Sequence, residues 1–232
     1  MLSRKGRALR PPVAQLRRQL VETRFCSYNI YIVKDLETIL QLPDGPPRTA
    51  ALAEWVQGLY PEGTPRPVLV GGAAVELLTG GAYSTGDLDF VGEVPPEVQS
   101  ELEEHGFERQ GRHWIHPEAR IFLEFPGEHL QEAETSLQLD FSGARVEILS
   151  PEAVLIDRLA AWEFWGLDQE GINAFLVWRA SYENLDDETL RVLVMNRKLE
   201  AAWGRFLQFA ERYLDREPAT EELSKWANKQ ES

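Results

Sequence analysis

The chain has 232 residues, carries 24 Lys+Arg against 38 Asp+Glu for a formal charge of −14, and is 43% hydrophobic. That length and balance fit a globular protein of one large domain, or a medium domain plus a smaller one, and exclude a disordered or fibrous chain. No apolar run approaches the ~20 residues of a membrane span, and the single cysteine, Cys26, excludes an internal disulfide and a Cys-based zinc site, so a reducing cytoplasm is the expected location.

The charge is uneven. Residues 1–24 hold Arg4, Lys5, Arg7, Arg10, Arg17, Arg18 and Arg24 against Glu22 alone, which is +6, so the rest of the chain carries −20. A body that acidic repels phosphate backbones, which makes duplex nucleic acid an unlikely partner and leaves an RNA end possible. The basic stretch reads as a flexible terminal tail, with an RNA, an acidic partner or an organelle-targeting role as alternatives.

Along the chain, residues 28–33 suit a strand and residues 36–40 a short helix. Pro43, Gly45, Pro46 and Pro47 read as a break, with helix resuming near Thr49 on Leu52, Trp55, Val56 and Leu59. Val68 to Val70 is a short buried strand between Pro67 and Gly71, followed by a helical segment from Ala73 to Leu78. A glycine-rich stretch then leads to a strand at 87–91. Pro95-Pro96-Glu97 opens a helix that Gly106 closes. Strands are expected at 112–115, 119–125, 136–141 and 144–149, with Ser142-Gly143 as the hairpin turn of the last two.

From Ser150 the pattern is helical to the end. Ser150 is a good N-cap, Pro151 fits the first helical position, and Glu152 suits the positive end of the helix dipole. Five of the seven Trp fall after 150, and Leu199, Trp203, Phe206, Leu207, Ala210, Tyr213 and Leu214 make one apolar stripe, which indicates a packed helical subdomain. The expected divisions are therefore 1–24, 25–149 and 150–232, with an α+β core ahead of the helices.

The chemistry concentrates where Gly71-Gly72 ends one strand and Asp87-Leu88-Asp89 opens the next. Residues i and i+2 of a strand share a face, so both carboxylates project together. Side by side they repel unless a cation intervenes, and hard oxygen donors suit Mg²⁺ or Mn²⁺ held together with nucleotide phosphates. A glycine pair lets backbone amides approach such phosphates. His113-x-x-His116 lacks the helical spacing of a zinc site, and no Gly-x-Ser-x-Gly or P-loop pattern occurs.

Gly71-Gly72, a gap of 14 residues and the Thr85-Gly86-Asp87-Leu88-Asp89-Phe90 run resemble the signature of the polymerase-beta-type nucleotidyltransferase superfamily. Within it the chain is similar to the small bacterial proteins related to the AbiEii abortive-infection toxins, also through Ile148 to Glu152 and Leu155-Ile156-Asp157-Arg158-Leu159-Ala160-Ala161. The resemblance implies a mixed-sheet nucleotidyltransferase core and transfer of a nucleotide monophosphate from an NTP to a hydroxyl on a protein, RNA end or small molecule. It implies Asp87 and Asp89 as ligands of two metal ions, Gly71, Gly72 and Thr85 at the nucleotide, and a cognate partner protein as in toxin–antitoxin pairs. A third carboxylate is expected on a later strand. Glu124 is the choice because Ile121, Leu123 and Phe125 alternate with it, and Asp140 and Glu147 are alternatives. Tyr83 stands where relatives often carry Arg, and no Lys occurs between residues 35 and 197; both departures favour a rival reading, a catalytically silent module that binds a nucleotide or a partner protein.

Overall fold

The computed structural model describes residues 35–228. The basic stretch 1–24, Cys26 and the strand expected at 28–33 lie outside the described residues. The described chain is α+β, a mixed seven-stranded sheet followed by a helical C-terminal region.

Helix α1 (Leu36–Leu40) starts at Asp35, whose carboxylate accepts from the Glu37 amide. Helix α2 (Pro46–Gly58) begins earlier than the sequence suggests. Pro46 and Pro47 occupy its first turn, where no amide hydrogen bond is needed, so they start the helix instead of breaking it. Next come β1 (Val68–Val70), α3 (Gly71–Leu78), β2 (Asp87–Val91), α4 (Pro96–Glu104), β3 (Glu108–Gln110), β4 (His113–His116), β5 (Ile121–Gly127), β6 (Ser136–Phe141) and β7 (Ala144–Leu149). The β6–β7 turn is at Ser142-Gly143 as expected, both at positive φ.

The sheet order is β3-β4-β5-β2-β1-β7-β6. β2 is antiparallel to β1 and parallel to β5, β1 is parallel to β7, and antiparallel hairpins complete both edges. Register places Leu69, Leu88, Phe90, Trp114, Leu123 and Ile148 on one face, and all six are buried. At about 1.5–3 kcal/mol for each large apolar side chain taken from water, this face anchors β2 strongly. It thereby turns the alternate residues, Asp87 and Asp89, to the other face. Helix α2 packs on β7, and its buried Gln57 donates to the Pro67 and Glu147 carbonyls at 2.9 and 2.7 Å while accepting from the Glu147 amide.

The helical region comprises α5 (Pro151–Trp165), α6 (Asp168–Ser181), α7 (Asp187–Asn196), α8 (Glu200–Ala210), a 3₁₀ turn (Glu211–Tyr213) and α9 (Thr220–Ala227). Ser150 caps α5 by accepting from the Ala153 amide, and Gly166 ends it in the left-handed conformation that favours glycine. Phe175, Trp178, Phe206, Phe209 and Trp226 form an aromatic centre, tied at the C-terminal side by the Trp162 indole N–H donating to the Ala227 carbonyl at 2.6 Å. Among the described residues, no helix is long and apolar enough to cross a membrane.

Candidate functional site

The candidate site forms where β1 turns into α3 beside β2 and β5. Register places Asp89 between Val70 of β1 and Glu124 of β5, and Asp87 beside Phe122. Asp87, Asp89 and Glu124 therefore share one face of two neighbouring parallel strands. Asp87 is exposed, Asp89 and Glu124 half-buried. The other two carboxylates considered from sequence lie elsewhere. Asp140 accepts from the Arg145 guanidinium at 2.9 Å on the outer hairpin, and Glu147 accepts from the Ser136 hydroxyl two strands away from β2.

Gly71 is required by contact as well as by conformation. Its φ is +66°, and a Cβ there would stand 2.0 Å from Asp89 Oδ2. The Gly72 amide, at the opening of α3, donates to the Asp89 carboxylate. That amide, read from sequence as a phosphate contact, is thus engaged by Asp89 itself. Thr85 closes over the pair: a Cβ on Gly72 would meet its Oγ1 at 3.0 Å, and its hydroxyl accepts from the Asp87 amide at 3.4 Å. Beneath, the buried Glu76 carboxylate accepts from the Thr49 hydroxyl at 3.1 Å and from the Thr85 amide. Burial raises the Glu76 pKa, and these two donors oppose the rise. Glu76 thus fixes the end of the glycine-rich stretch to the helices under it.

Asp89 is electrostatically the outstanding group. Burial, then the charges of Glu124 and Asp87, push its pKa up to about 6, against the opposing pull of Arg158 and the Gly72 amide. Arg158 is the residue that sequence reasoning passed over, although the Asp157-Arg158 pair already stood in the segment that carried the family resemblance. Its side chain, 17% exposed, projects from α5 and bonds Asp157 and Glu170, the latter at 3.1 Å. Burial alone would lower its pKa, but the charges of Asp157 and Glu170 outweigh that and keep it protonated. Its buried Nε has no hydrogen-bond partner among the described residues. A cation held by α5 therefore acts on the Asp89 carboxylate.

Glu124 is held on its outer side by Arg112, whose Nη2 lies 2.8 Å from Oε1, with His113 Nδ1 at 3.7 Å from Oε2. The strand of Glu124 fixes Arg112 as well, since the Phe125 amide donates to the Arg112 carbonyl. The histidine pair of β4 makes separate contacts. His116 accepts from the Ala119 amide and meets the Phe107 ring edge-on. Asp168 is the first residue of α6, with Leu167 as its N-cap.

The carboxylate face fits a divalent cation in donor chemistry and electrostatics. It offers hard oxygens from adjacent strands, and at Asp89, whose pKa neighbouring charges help to raise, a cation would relieve the repulsion. The three groups do not close into a tight cage. Among the described residues, the set with ligand atoms all within 4.8 Å of one another is Glu93, Glu128 and His129, exposed at the other end of β2 and β5.

No protein family is matched by the chain, and no curated protein is. A solved structure to which it is similar is that of an antigenic nucleotidyltransferase-like protein from Paracoccidioides brasiliensis, with 18% identity and a TM-score of 0.48 over 76% of this chain and 95% of that one.

Proposed function

We propose that the protein is a metal-dependent nucleotidyltransferase that moves a nucleoside monophosphate from an NTP to a hydroxyl acceptor on a protein, an RNA end or a small molecule. The observation that carries this reading is the register of Asp89 with Glu124, beside Asp87 and against the glycine start of α3. Asp87 and Asp89, with Glu124 as the third carboxylate, are the residues that would hold Mg²⁺ or Mn²⁺. When bound, the metal supplies charge neutralisation at the triphosphate and a more acidic acceptor hydroxyl.

The remaining steps belong to the chain's own groups. The acceptor oxygen bonds to the α-phosphorus, the bond from that phosphorus to the bridging oxygen breaks, and pyrophosphate leaves. Glu124 takes the acceptor proton, and Arg112 beside it orients the carboxylate. Arg158 offers positive charge to the phosphates, a task for which Tyr83 is unsuited. Gly71 and Gly72 keep this corner clear of side chains, and Thr85 holds the β2 entrance in place. A cognate partner protein, as in toxin–antitoxin pairs, belongs to this reading as an expectation from the family resemblance.

A second reading, a silent module that binds a nucleotide or a protein, is favoured by the ion pair that already occupies Glu124. The two separate in one titration of a non-hydrolysable NTP with and without Mg²⁺, comparing wild type with Asp87→Asn/Asp89→Asn. The enzyme reading expects metal-dependent binding that the double variant loses. Binding without metal dependence supports the silent module, and no binding by either protein overturns the enzyme. Labelled-NTP transfer into a lysate then identifies the acceptor.

A further inference from the structure

The carboxylate face of the sheet carries a side chain that metal binding leaves unexplained. Phe122 lies on β5 two residues before Glu124, so the two share a face, and in register it stands between Asp87 of β2 and Ile115 of β4. Its neighbours Ile121 and Leu123 are buried, while Phe122 itself is 43% exposed. Apolar side chains scattered singly over a surface are ordinary. Phe122 is set apart by its place: among the described residues, the other exposed large apolar side chains all lie in the helical region, from Phe164 onward. On the sheet it is the exposed aromatic, and it borders the site.

Neighbouring strands lie about 4.8 Å apart, which puts the ring beside whatever the Asp87 carboxylate holds. Ile115, half-buried on the next strand, extends the apolar floor. A phenyl face open to water next to hard oxygen donors suits a ligand with two unlike ends. One end is anionic and drawn to the carboxylates through a metal ion, and the other is flat and lies on the ring. A nucleoside triphosphate has that form, with its base one ribose away from the α-phosphate. Across the three strands, the row of Asp87, Phe122 and Ile115 presents no side-chain donor to a base edge while Asp87 is ionised, so contact there is through the face of the base. Every base has such a face, and stacking on an aromatic side chain is tolerant of base identity for that reason. Building on the nucleotidyltransferase reading above, we propose that Phe122 is a nucleotide-binding residue on whose ring the base of the NTP stacks, with little selection among the four bases.

Calorimetric titration of the full chain in Mg²⁺ tests this with two kinds of ligand: non-hydrolysable NTPs, and inorganic tripolyphosphate, which has the phosphates without a base. Phe122→Ala should weaken the NTP analogue by about fivefold or more for each of the four bases, and leave tripolyphosphate within about twofold of wild type. Phe122→Leu, which keeps apolar surface without a ring, should behave like Phe122→Ala. Phe122→Tyr, which keeps the ring, should bind as wild type does. A loss shared equally by tripolyphosphate, a loss confined to one base, or no loss with either ligand would overturn the proposal. Unchanged NTP binding with slowed labelled-NTP transfer would overturn it in favour of a ring on the acceptor. Failure of the wild type to bind either ligand with metal would instead sink the nucleotidyltransferase reading itself, and the stacking role with it.

Discussion

Gly71 stands where no side chain fits. Its positive φ already disfavours other residues, and the added Cβ would lie inside the van der Waals radius of the Asp89 carboxylate. Gly71→Ala should therefore cost about 1–3 kcal/mol in urea unfolding and displace Asp89, so that metal-dependent nucleotide binding falls with stability. Gly72→Ala is the control, because its Cβ would meet Thr85 at 3.0–3.1 Å and needs a smaller shift. Asp89 carries a second expectation with a defined sign. Its pKa in the folded protein is about 6 against an ordinary 3.8, so the folded state holds the proton more tightly than the unfolded one. The stability that Asp89 contributes is thus full below pH 4 and lost as pH rises through 6, where an ionised Asp89 faces Glu124 and Asp87. In chelator, Asp89→Asn should be more stable than wild type at pH 8 by about 1 kcal/mol after allowance for solvent screening, and the gain should vanish by pH 4. Thermal melts across that range check it; a gain independent of pH would assign the effect to packing.

At the level of elements, the start of α5 joins sheet to helices through one side chain. Ser150, almost fully buried, accepts from the Ala153 amide, and its own amide donates to the Thr135 carbonyl at 2.8 Å. Ser150→Ala should remove about 1 kcal/mol, read as a lower denaturant midpoint at unchanged slope. This cap was legible in the sequence because Ser-Pro-Glu is a local signal. β2 was legible for a similar reason, since the alternation of Asp87, Leu88, Asp89 and Phe90 fixes which face each side chain takes. β3 was not, because Glu108, Arg109 and Gln110 are all exposed and have no apolar period; they form a strand only through pairing with β4. The start of α2 misled for the opposite reason, since Pro46-Pro47 signals both a break and a helix start. The choice among Glu124, Asp140 and Glu147 needed strand order, as each alternates with apolar neighbours in the same way. Arg158 acts on the charge of Asp89 only once α5 packs against α3, a long-range arrangement that spacing along the chain does not encode.

Across the whole molecule, the buried core runs without interruption from Leu36 of α1 through the sheet to Tyr213 after α8. Helix α3 touches both α5 and α6, so the candidate site is built from both sides of residue 150. A polar tie crosses the same junction: Arg197 of the helical region pairs with Glu134, just before β6. Neither the sheet nor the helices can lose packing without exposing apolar surface of the other, and such coupling makes unfolding cooperative. In urea, tryptophan fluorescence, which reports mostly on the helices because five of the seven Trp lie after 150, should follow the same single transition as exchange protection of the amides of β1, β2 and β5. Arg197→Ala should shift both probes together, since it cuts a tie between the two regions. Two separated transitions, with the helices melting first, would show that residue 150 bounds an independently stable domain, and would require Arg158 to be brought to the carboxylates by docking of one unit onto the other.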